Sequence, residues 1–202
     1  MNSRIYSLLT VRVIQKSCER VFRPGLQGRP VIVLSNNDLI EAVSEFSGRA
    51  AVKLRKQNGR AGRVLVFVHT SAFRPQDRQY SNSITLSLSR PSADTAAITA
   101  TAVRGMEAIF RTGFNYAKAG VMLLDIQAGS AAVQGELALD EPGADRPGLM
   151  SAMDSLNDRF GRGSVTLASA GLARDRRSWV MEQDFKTPNY TTHWADMPVA
   201  RA

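Results

Sequence analysis

The sequence predicts an α+β domain in which two helices cover one face of a four-stranded sheet, and three observations support this. Residues 83–89 alternate strictly between hydroxyl and apolar side chains, as in a strand with one wet face. Apolar residues recur at spacings of three and four over residues 39–54, the pattern of a helix with one buried stripe. The apolar runs at 63–70 and 119–126 have the length of buried strands.

The first half of this domain is predicted to begin with a strand over residues 31–35, VIVLS. Asp38, followed three residues later by Glu41, predicts a helix start near Leu39, because the first carboxylate can accept from backbone N–H groups and the second can reach back. Asn58-Gly59 supplies the stop. The predicted buried stripe of this helix comprises Leu39, Val43, Phe46, Ala50 and Leu54.

A second helix is predicted between the strands 83–89 and 119–126, capped by Ser92 or Asp94 and ended by Gly113. Its predicted inward residues are Ile98, Ala102, Met106, Ile109 and Phe110. The order strand, helix, strand, strand, helix, strand is the split βαββαβ arrangement of ferredoxin-like domains. The hydroxyls of strand 83–89 would then line the open face of the sheet.

Beyond this domain the composition changes twice. Residues 127–147 are small, acidic and rich in Pro and Gly, with a net charge of −3, which predicts a flexible linker. Residues 148–202 predict a small α/β region, with a helix that places Leu149, Met153 and Leu156 on one side and a strand-like segment at 163–171. The last thirty or so residues place aromatic side chains among polar ones, as in an arm that packs against something else.

The net charge of +8 lies mainly in residues 39–126, which carry twelve basic and six acidic residues. Six basic residues and no acidic one fall within residues 49–63: Arg49, Lys53, Arg55, Lys56, Arg60 and Arg63. Such a run is most often a solvated helix face, but its charge also fits a polyanion, with nucleic acid as the natural partner. Ribosome-like or membrane-surface contacts would give a similar balance.

Cysteine and hydropathy patterns indicate a cytoplasmic protein. The single Cys18 excludes an intramolecular disulfide framework, and with only His69 and His193 beside it no Cys/His metal cluster can form. No stretch approaches the eighteen or so apolar residues of a membrane span, and the start of the chain shows no cleavable leader pattern. We therefore expect no membrane association.

Several motifs resemble the UmuC subunit of bacterial DNA polymerase V, a Y-family translesion polymerase of the SOS response to DNA damage. The motifs are SCERVFRPGLQGRPVIVLSNND at 17–38, HTSAF at 69–73, YSNS at 80–83 and YAKAGVMLLDI at 116–126, then LMSAMDSLN, GRGSV and PNYTTHWADM. The resemblance implies that residues 1–38 are a remnant of the palm and 39–126 the DNA-binding little-finger domain, with strand 31–35 recruited into its sheet. It also implies a UmuC-type C-terminal domain at 148–202. Alternatively, the first 38 residues stay loose as the product of a disrupted reading frame.

By this resemblance, DNA, including damaged DNA, would be bound by the six basic residues together with Arg74, Arg78 and the hydroxyl residues Ser81, Ser83, Thr85 and Ser87. Neutralising six phosphates would give a salt dependence of log K with a slope of about −5. Within the linker, QGELAL has the Q-x-x-L-x-L spacing of a sliding-clamp-binding peptide, which assigns that role to Gln134, Leu137 and Leu139. The alternative is a plain acidic linker, because Gly135 stands where leucine is preferred. A UmuD-like subunit and the recombinase filament are further partners implied by resemblance.

The departures from the family argue against catalysis. Such polymerases hold two Mg²⁺ ions between carboxylates, and alignment on the SCE motif puts Thr10 where the first aspartate belongs and Gln15 at the ribonucleotide-excluding aromatic. The second acidic motif has no counterpart between Asp38 and Leu39. We therefore expect no bound metal, no other cofactor and no polymerase activity, only DNA binding. A protein-interaction module with little DNA affinity is the alternative, and a product without a selected role is a third.

Overall fold

An antiparallel sheet organises the chain, and two long helices pack against one of its faces. The computed structural model describes residues 9–11, 35–129 and 145–171. In chain order the elements are β1 (Leu9–Val11), α1 (Asn36–Lys56), β2 (Gly59–Thr70), β3 (Ser81–Ser92), α2 (Thr95–Ile109), β4 (Tyr116–Ala128), α3 (Pro147–Phe160) and a short 3-10 helix (Ala168–Ala170). The predicted α+β class is confirmed.

The strands lie in the order β1-β4-β2-β3, and every neighbouring pair is antiparallel. Because β1 and β2 both run antiparallel to β4, they are parallel to each other with β4 between them, and α1 connects them. In the same way, α2 connects β3 to β4 across β2. These two crossovers correspond to the predicted split βαβ units.

The edge position beside β4 is taken by a strand that the sequence did not predict. Strand β1 is only three residues long, and its register pairs Leu9 with Leu123, Thr10 with Met122 and Val11 with Val121. The predicted first strand, residues 31–35, lies outside the described residues. Thr10, which the resemblance aligns with a metal-binding aspartate, is therefore part of the backbone ladder of this sheet.

Helix α1 begins at Asn36, three residues before the predicted start, and its cap differs from the prediction. The N-cap is Ser35, whose hydroxyl accepts from the Asp38 N–H at 3.2 Å, while the Asp38 carboxylate accepts from the Ser35 N–H at 2.8 Å. Asp38 is thus the third residue of a capping box and not the cap itself. The helix ends at Lys56, and Asn58 takes a positive φ of 48° at the predicted stop. All five residues of the predicted stripe are buried: Leu39, Val43, Phe46, Ala50 and Leu54.

Helix α2 lies directly on β2 and β3. Its N-cap is Asp94, which accepts from the Ala96 N–H at 2.7 Å. A Cβ added to Gly105 in the middle of the helix would lie 3.1 Å from a Val66 methyl and 3.3 Å from an Ile84 methyl, so the helix axis approaches the sheet closely there. Of the predicted inward residues, Phe110 is half-buried and the others are buried: Ile98, Ala102, Met106 and Ile109.

Helix α3 lies where the sequence predicted a helix, but it buries a different residue. Leu149 and Leu156, predicted to face inward, are 47% and 41% exposed, and Met153 is half-buried. The buried side chain is Met150, whose sulfur accepts from the Thr95 N–H at 3.3 Å at the start of α2. The predicted stripe was therefore wrong, because the apolar side chain that packs against the start of α2 is Met150, near the N-terminus of α3.

Residues 163–171 do not form the predicted strand. The side chain of Asn157 holds this segment back against α3: its oxygen accepts from the N–H groups of Gly163 and Val165 at 3.1 and 3.0 Å, and its amide donates to the Val165 carbonyl at 2.9 Å. Gly161 and Gly163 turn the chain with φ values of 99° and 92°, which glycine adopts without strain. The predicted aromatic arm beyond residue 171 lies outside the described residues.

Candidate nucleic-acid interface

One face of the sheet is covered by α1 and α2, and the other face carries the candidate site. Val64, Val66 and Val68 of β2 are fully buried beneath the helices, so the alternate residues of this strand point to the other side. Directly opposed residues of neighbouring strands share a face. By register, the open face contains Ser81, Ser83, Thr85 and Ser87 of β3, Arg63, Leu65, Phe67 and His69 of β2, and Lys118, Gly120, Met122 and Leu124 of β4.

A row of four hydroxyl side chains runs along β3 on this open face. Ser81, Ser83, Thr85 and Ser87 are all exposed, while the apolar residues between them turn toward the helices. Exposed hydroxyls can donate hydrogen bonds to phosphate oxygens. The structure therefore places the four predicted hydroxyl residues in one row.

Basic residues lie beside this hydroxyl row. Arg63 is opposite Ser87 and is exposed, and its ion pair with Asp125 spans 3.9 Å between two half-exposed side chains, so water and salt screen it. Lys118 is exposed and lies opposite His69 at the other end of β2. The sequence-based set did not contain Lys118, because only the cross-strand register places it on this face.

Arg60 is a further basic residue of β2, close to the start of that strand. It lies opposite Gln127 of β4 and is half-buried. Between Ala61 and Arg63 the pairing with β3 is irregular, which interrupts the regular alternation of faces there. Arg60 lines a cavity together with Arg55 and Met150, so it lies beside α3 and is not placed on the open face.

Phe67 fills the centre of the open face. Its side chain is 9% exposed, and a Cβ on Gly120 would lie 2.5 Å from its ring, so the ring covers that glycine. The His69 ring lies 5.4 Å from the Phe67 ring, centroid to centroid, and His69 Nδ1 is 2.6 Å from the Ser81 hydroxyl oxygen. These contacts connect the apolar centre of the face to its hydroxyl row.

Residues 71–80, which join β2 to β3, form what we call the arginine loop. It carries Arg74, which pairs with Asp77 at 3.8 Å, and Arg78, whose guanidinium lies 4.9 Å from the centroid of the Phe114 ring. Both arginines belong to the predicted DNA-binding set. Because β2 ends and β3 begins here, the loop lies at the His69 end of the open face.

The predicted basic residues of α1 do not join this surface. Arg49, Lys53 and Lys56 are exposed on the helix layer, so the sheet lies between them and the hydroxyl row. Arg49 pairs with Glu45 one turn earlier, and Lys56 approaches Asp158 of α3 at 3.5 Å. The structure thus divides the predicted DNA-binding residues between two opposite layers.

Arg55 is engaged by α3. Its Nε and Nη2 each donate to one carboxylate oxygen of Asp154 at 2.7 Å, and its Nη1 donates to the Ala93 carbonyl at 2.8 Å and the Thr95 hydroxyl at 2.9 Å. These bonds use four of the five N–H donors of a guanidinium. Arg55 therefore holds α1, the start of α2 and α3 together, and it is not available to a phosphate.

A second ion pair fastens the start of α3. Arg146 donates to both carboxylate oxygens of Asp94 at 3.0 and 3.2 Å. Burial would raise the pKa of Asp94, but the hydrogen bonds from Arg146 and from the Ala96 N–H, together with the Arg146 charge, outweigh burial and lower that pKa. The cap of α2 is thus a stabilised carboxylate.

The two ends of the linker lie close together. The Gly129 N–H donates to the Asn58 carbonyl at 2.6 Å, and Asp145 accepts from the Ser92 hydroxyl at 2.5 Å. Gly129 and Asp145 line the same cavity of about 410 Å³, at the base of α3. The predicted clamp-binding residues Gln134, Leu137 and Leu139 lie between these ends, outside the described residues.

Neither a metal-binding cluster nor a membrane-spanning helix was found in the described ranges. These ranges hold no group of three or more His, Cys, Asp or Glu side chains that could bind a metal ion. No helix within them is long and apolar enough to cross a bilayer.

Two family matches cover most of the chain. Residues 15–137 match the impB/mucB/samB family C-terminal domain, and residues 147–200 match a domain of unknown function, DUF4113. Helix α1 belongs to the first match and α3 to the second. The Arg55–Asp154 pair therefore joins the two matched segments.

The curated relatives are longer proteins. Protein ImpB of Salmonella typhimurium is 36% identical over 161 residues, which cover 80% of this chain and 37% of ImpB. Protein UmuC of Salmonella typhimurium strain LT2 is 33% identical over 168 residues, or 82% of this chain and 38% of UmuC. Protein MucB of Escherichia coli is 34% identical over 163 residues, or 81% of this chain and 37% of MucB. The chain thus spans less than two fifths of the length of these relatives.

Proposed function

Because this chain belongs to the impB/mucB/samB family, whose C-terminal domain it matches over residues 15–137, we propose that it acts in DNA repair by binding DNA without polymerising nucleotides. The binding surface is the open face of the sheet together with the arginine loop. The observation that supports this is the exposed hydroxyl row beside Arg63, on the side of the sheet that α1 and α2 leave uncovered.

The chemistry of this surface suits a sugar-phosphate backbone. Phosphate contacts need clustered basic groups and hydroxyl donors, and they give affinity that does not depend on sequence. The surface carries four basic residues besides His69: Arg63, Arg74, Arg78 and Lys118. The helix layer is a weaker candidate, because the Arg55 guanidinium already donates to Asp154, Ala93 and Thr95.

One observation supports DNA binding without catalysis, and another supports a cytoplasmic location. Thr10 stands where the resemblance requires the first metal-binding carboxylate, and a neutral hydroxyl does not replace that ligand. The single cysteine fits a reducing compartment. The setting in translesion synthesis after DNA damage comes from the resemblance to the UmuC-type polymerases.

A salt titration of DNA binding tests the proposal. Fluorescence anisotropy with a labelled duplex should give a plot of log K against log salt with a slope of about −3 to −4 if four phosphates are neutralised. The double variant Arg63→Ala, Lys118→Ala should reduce the magnitude of that slope by about 2. The matched control Arg49→Ala, Lys53→Ala removes the same charge from the helix layer and should leave the slope unchanged.

Three results would contradict parts of this proposal. A slope of log K against log salt near zero would exclude binding through phosphate contacts. If only the helix-layer variant Arg49→Ala, Lys53→Ala gave a reduced slope, the DNA-binding site would lie on α1. Templated extension of a primer by the purified chain in the presence of Mg²⁺ would show that it polymerises nucleotides.

A protein-binding role is the second candidate, and the centre of the open face favours it. Leu65, Met122 and Leu124 place apolar, half-buried side chains there beside Phe67. In this case the partner is a sliding clamp or a UmuD-like subunit. The variant Leu65→Ser, Met122→Ser should then abolish binding to the purified partner, while Arg63→Ala should have little effect.

A further inference from the structure

Phe73, in the arginine loop, is 87% exposed, the most exposed large apolar side chain in the described part of the chain. Single exposed apolar residues are common on protein surfaces and need no special explanation. The role of Phe73 therefore follows from how its loop is held and from the charges near that loop.

The arginine loop is braced from within. The side-chain amide of Gln79 donates to the carbonyls of Ser71, Arg74 and Asp77 at 3.3, 2.9 and 3.0 Å. The Thr70 hydroxyl donates to the carbonyl oxygen of the same Gln79 amide at 2.8 Å. A loop held by these bonds loses little conformational entropy when its outer side chain binds a partner.

A second brace connects the arginine loop to the α2–β4 connection. Asn115 donates to the Asp77 carboxylate at 3.1 Å, and the Tyr80 hydroxyl donates to the Ile109 carbonyl at 2.8 Å. The Arg111 guanidinium lies 5.4 Å from the centroid of the Tyr80 ring. These contacts bring the two connecting segments together at one end of the sheet.

The two connecting segments at this end of the sheet carry an excess of positive charge. Residues 71–80 and 110–118 carry one acidic residue, Asp77, and four basic ones: Arg74, Arg78, Arg111 and Lys118. An exposed aromatic face among cations matches the two components of a single nucleic-acid strand, its bases and its phosphates. An apolar anchor for a protein partner would not require this excess of positive charge.

We propose that Phe73 stacks on an unpaired base of single-stranded DNA while the arginines of the loop contact its phosphates. This inference deepens the proposed function and rests on it, since it adds a single-strand subsite at the end of the open face. Bases within a duplex already stack on each other, so an exposed ring gains contact mainly from unpaired ones.

The test compares two single-stranded ligands of equal length and charge, one with bases and one abasic throughout. Phe73→Ala should weaken binding of the base-bearing strand roughly 5- to 100-fold and leave binding of the abasic strand unchanged. The slope of log K against log salt should stay as in the wild type, because no phosphate contact is lost. Phe73→Leu should lose affinity like Phe73→Ala, and Phe73→Trp should retain it.

Phe160 provides a matched control. It is 64% exposed on α3 and has the Arg159 guanidinium 5.1 Å from its ring centroid, so it is also an exposed phenylalanine beside an arginine. Phe160→Ala should leave binding of both strands unchanged. Equal melting temperatures of all variants would show that the folds are intact.

Each other outcome overturns the inference. Equal losses on both strands, or no loss on either, would exclude base stacking by Phe73. Wild-type affinity of Phe73→Leu would indicate an apolar anchor for a protein partner. If the wild type binds neither strand in a salt-dependent manner, the proposed function fails as well. If binding is salt-dependent but unchanged by substitution of Phe73, only the stacking inference fails.

Discussion

Arg55 in the last turn of α1 and Asp154 in the middle of α3 form a bidentate ion pair, with both N···O distances at 2.7 Å. Their side chains are 15% and 21% exposed, so the pair is largely removed from water. This pair, 99 residues apart in the chain, fastens the segment that matches DUF4113 to the segment that matches the impB/mucB/samB C-terminal domain.

Removing the carboxylate of this pair should destabilise the fold. Asp154→Ala leaves the Arg55 guanidinium partly buried with two unpaired donors, which costs about 1–3 kcal/mol of unfolding free energy. Urea unfolding followed by circular dichroism measures the change. The control Asp158→Ala removes a largely exposed carboxylate, 3.5 Å from Lys56, and should cost less than about 1 kcal/mol. Equal effects of the two substitutions would contradict this account.

Acid should weaken the attachment of α3 through Asp94. Because its folded-state pKa is lowered, the ionised carboxylate contributes its full stability above the ordinary aspartate pKa of about 3.9 and loses it as the pH falls through the lower folded-state pKa. Asp94→Asn keeps a good N-cap but removes the charge. The difference in unfolding free energy between wild type and Asp94→Asn should therefore be constant near neutral pH. It should shrink as the pH becomes acidic. A difference that does not change with pH would count against the ion pair with Arg146.

Gly120→Ala should destabilise the open face. The new methyl would lie 2.5 Å from the Phe67 ring, so the ring must move, at a cost of about 1–3 kcal/mol. Combining it with Phe67→Ala should cost less than the sum of the two single changes, because the clash disappears. Gly148→Ala is the control: nothing lies within 4 Å of the added Cβ in the first turn of α3, and the change should be neutral or slightly stabilising. Additive free energies in the double variant would disprove the contact.

Ser35→Ala should lower the unfolding free energy by about 1 kcal/mol, because it removes the side-chain acceptor at the start of α1. Ser35→Thr retains a hydroxyl and should recover most of that loss. Thermal unfolding of the three proteins at one pH measures the order. If Ser35→Thr were as unstable as Ser35→Ala, the cap hydrogen bond would not be the cause.

The predictions that succeeded depend on periodicity along a single element. The α1 stripe from Leu39 to Leu54 and the alternation from Ser83 to Ser87 both encode which side of an element is buried, and long elements repeat that signal. The start of α1 was displaced by three residues because Ser35 and Asp38 are both good cap formers. Local sequence does not reveal which of them leaves the helical conformation.

The failures concern contacts between distant parts of the chain. In the sequence, Arg55 is indistinguishable from Lys53 and Lys56, yet it is the one that Asp154 engages from 99 positions away. Helix α3 has apolar residues on more than one side, and Met150 rather than Leu149 is buried because it packs against the start of α2. Such choices depend on tertiary packing, which no local pattern records.

The shared cavity at the base of α3 also bears on how the protein would respond to a protease. Since Gly129 and Asp145 border one cavity, the two described segments that end at these residues meet at a single place. A cut between these residues would break the covalent chain, but Arg55 and Asp154 would still hold the two fragments against each other. The nicked protein should elute from a sizing column as one particle and come apart only in denaturant.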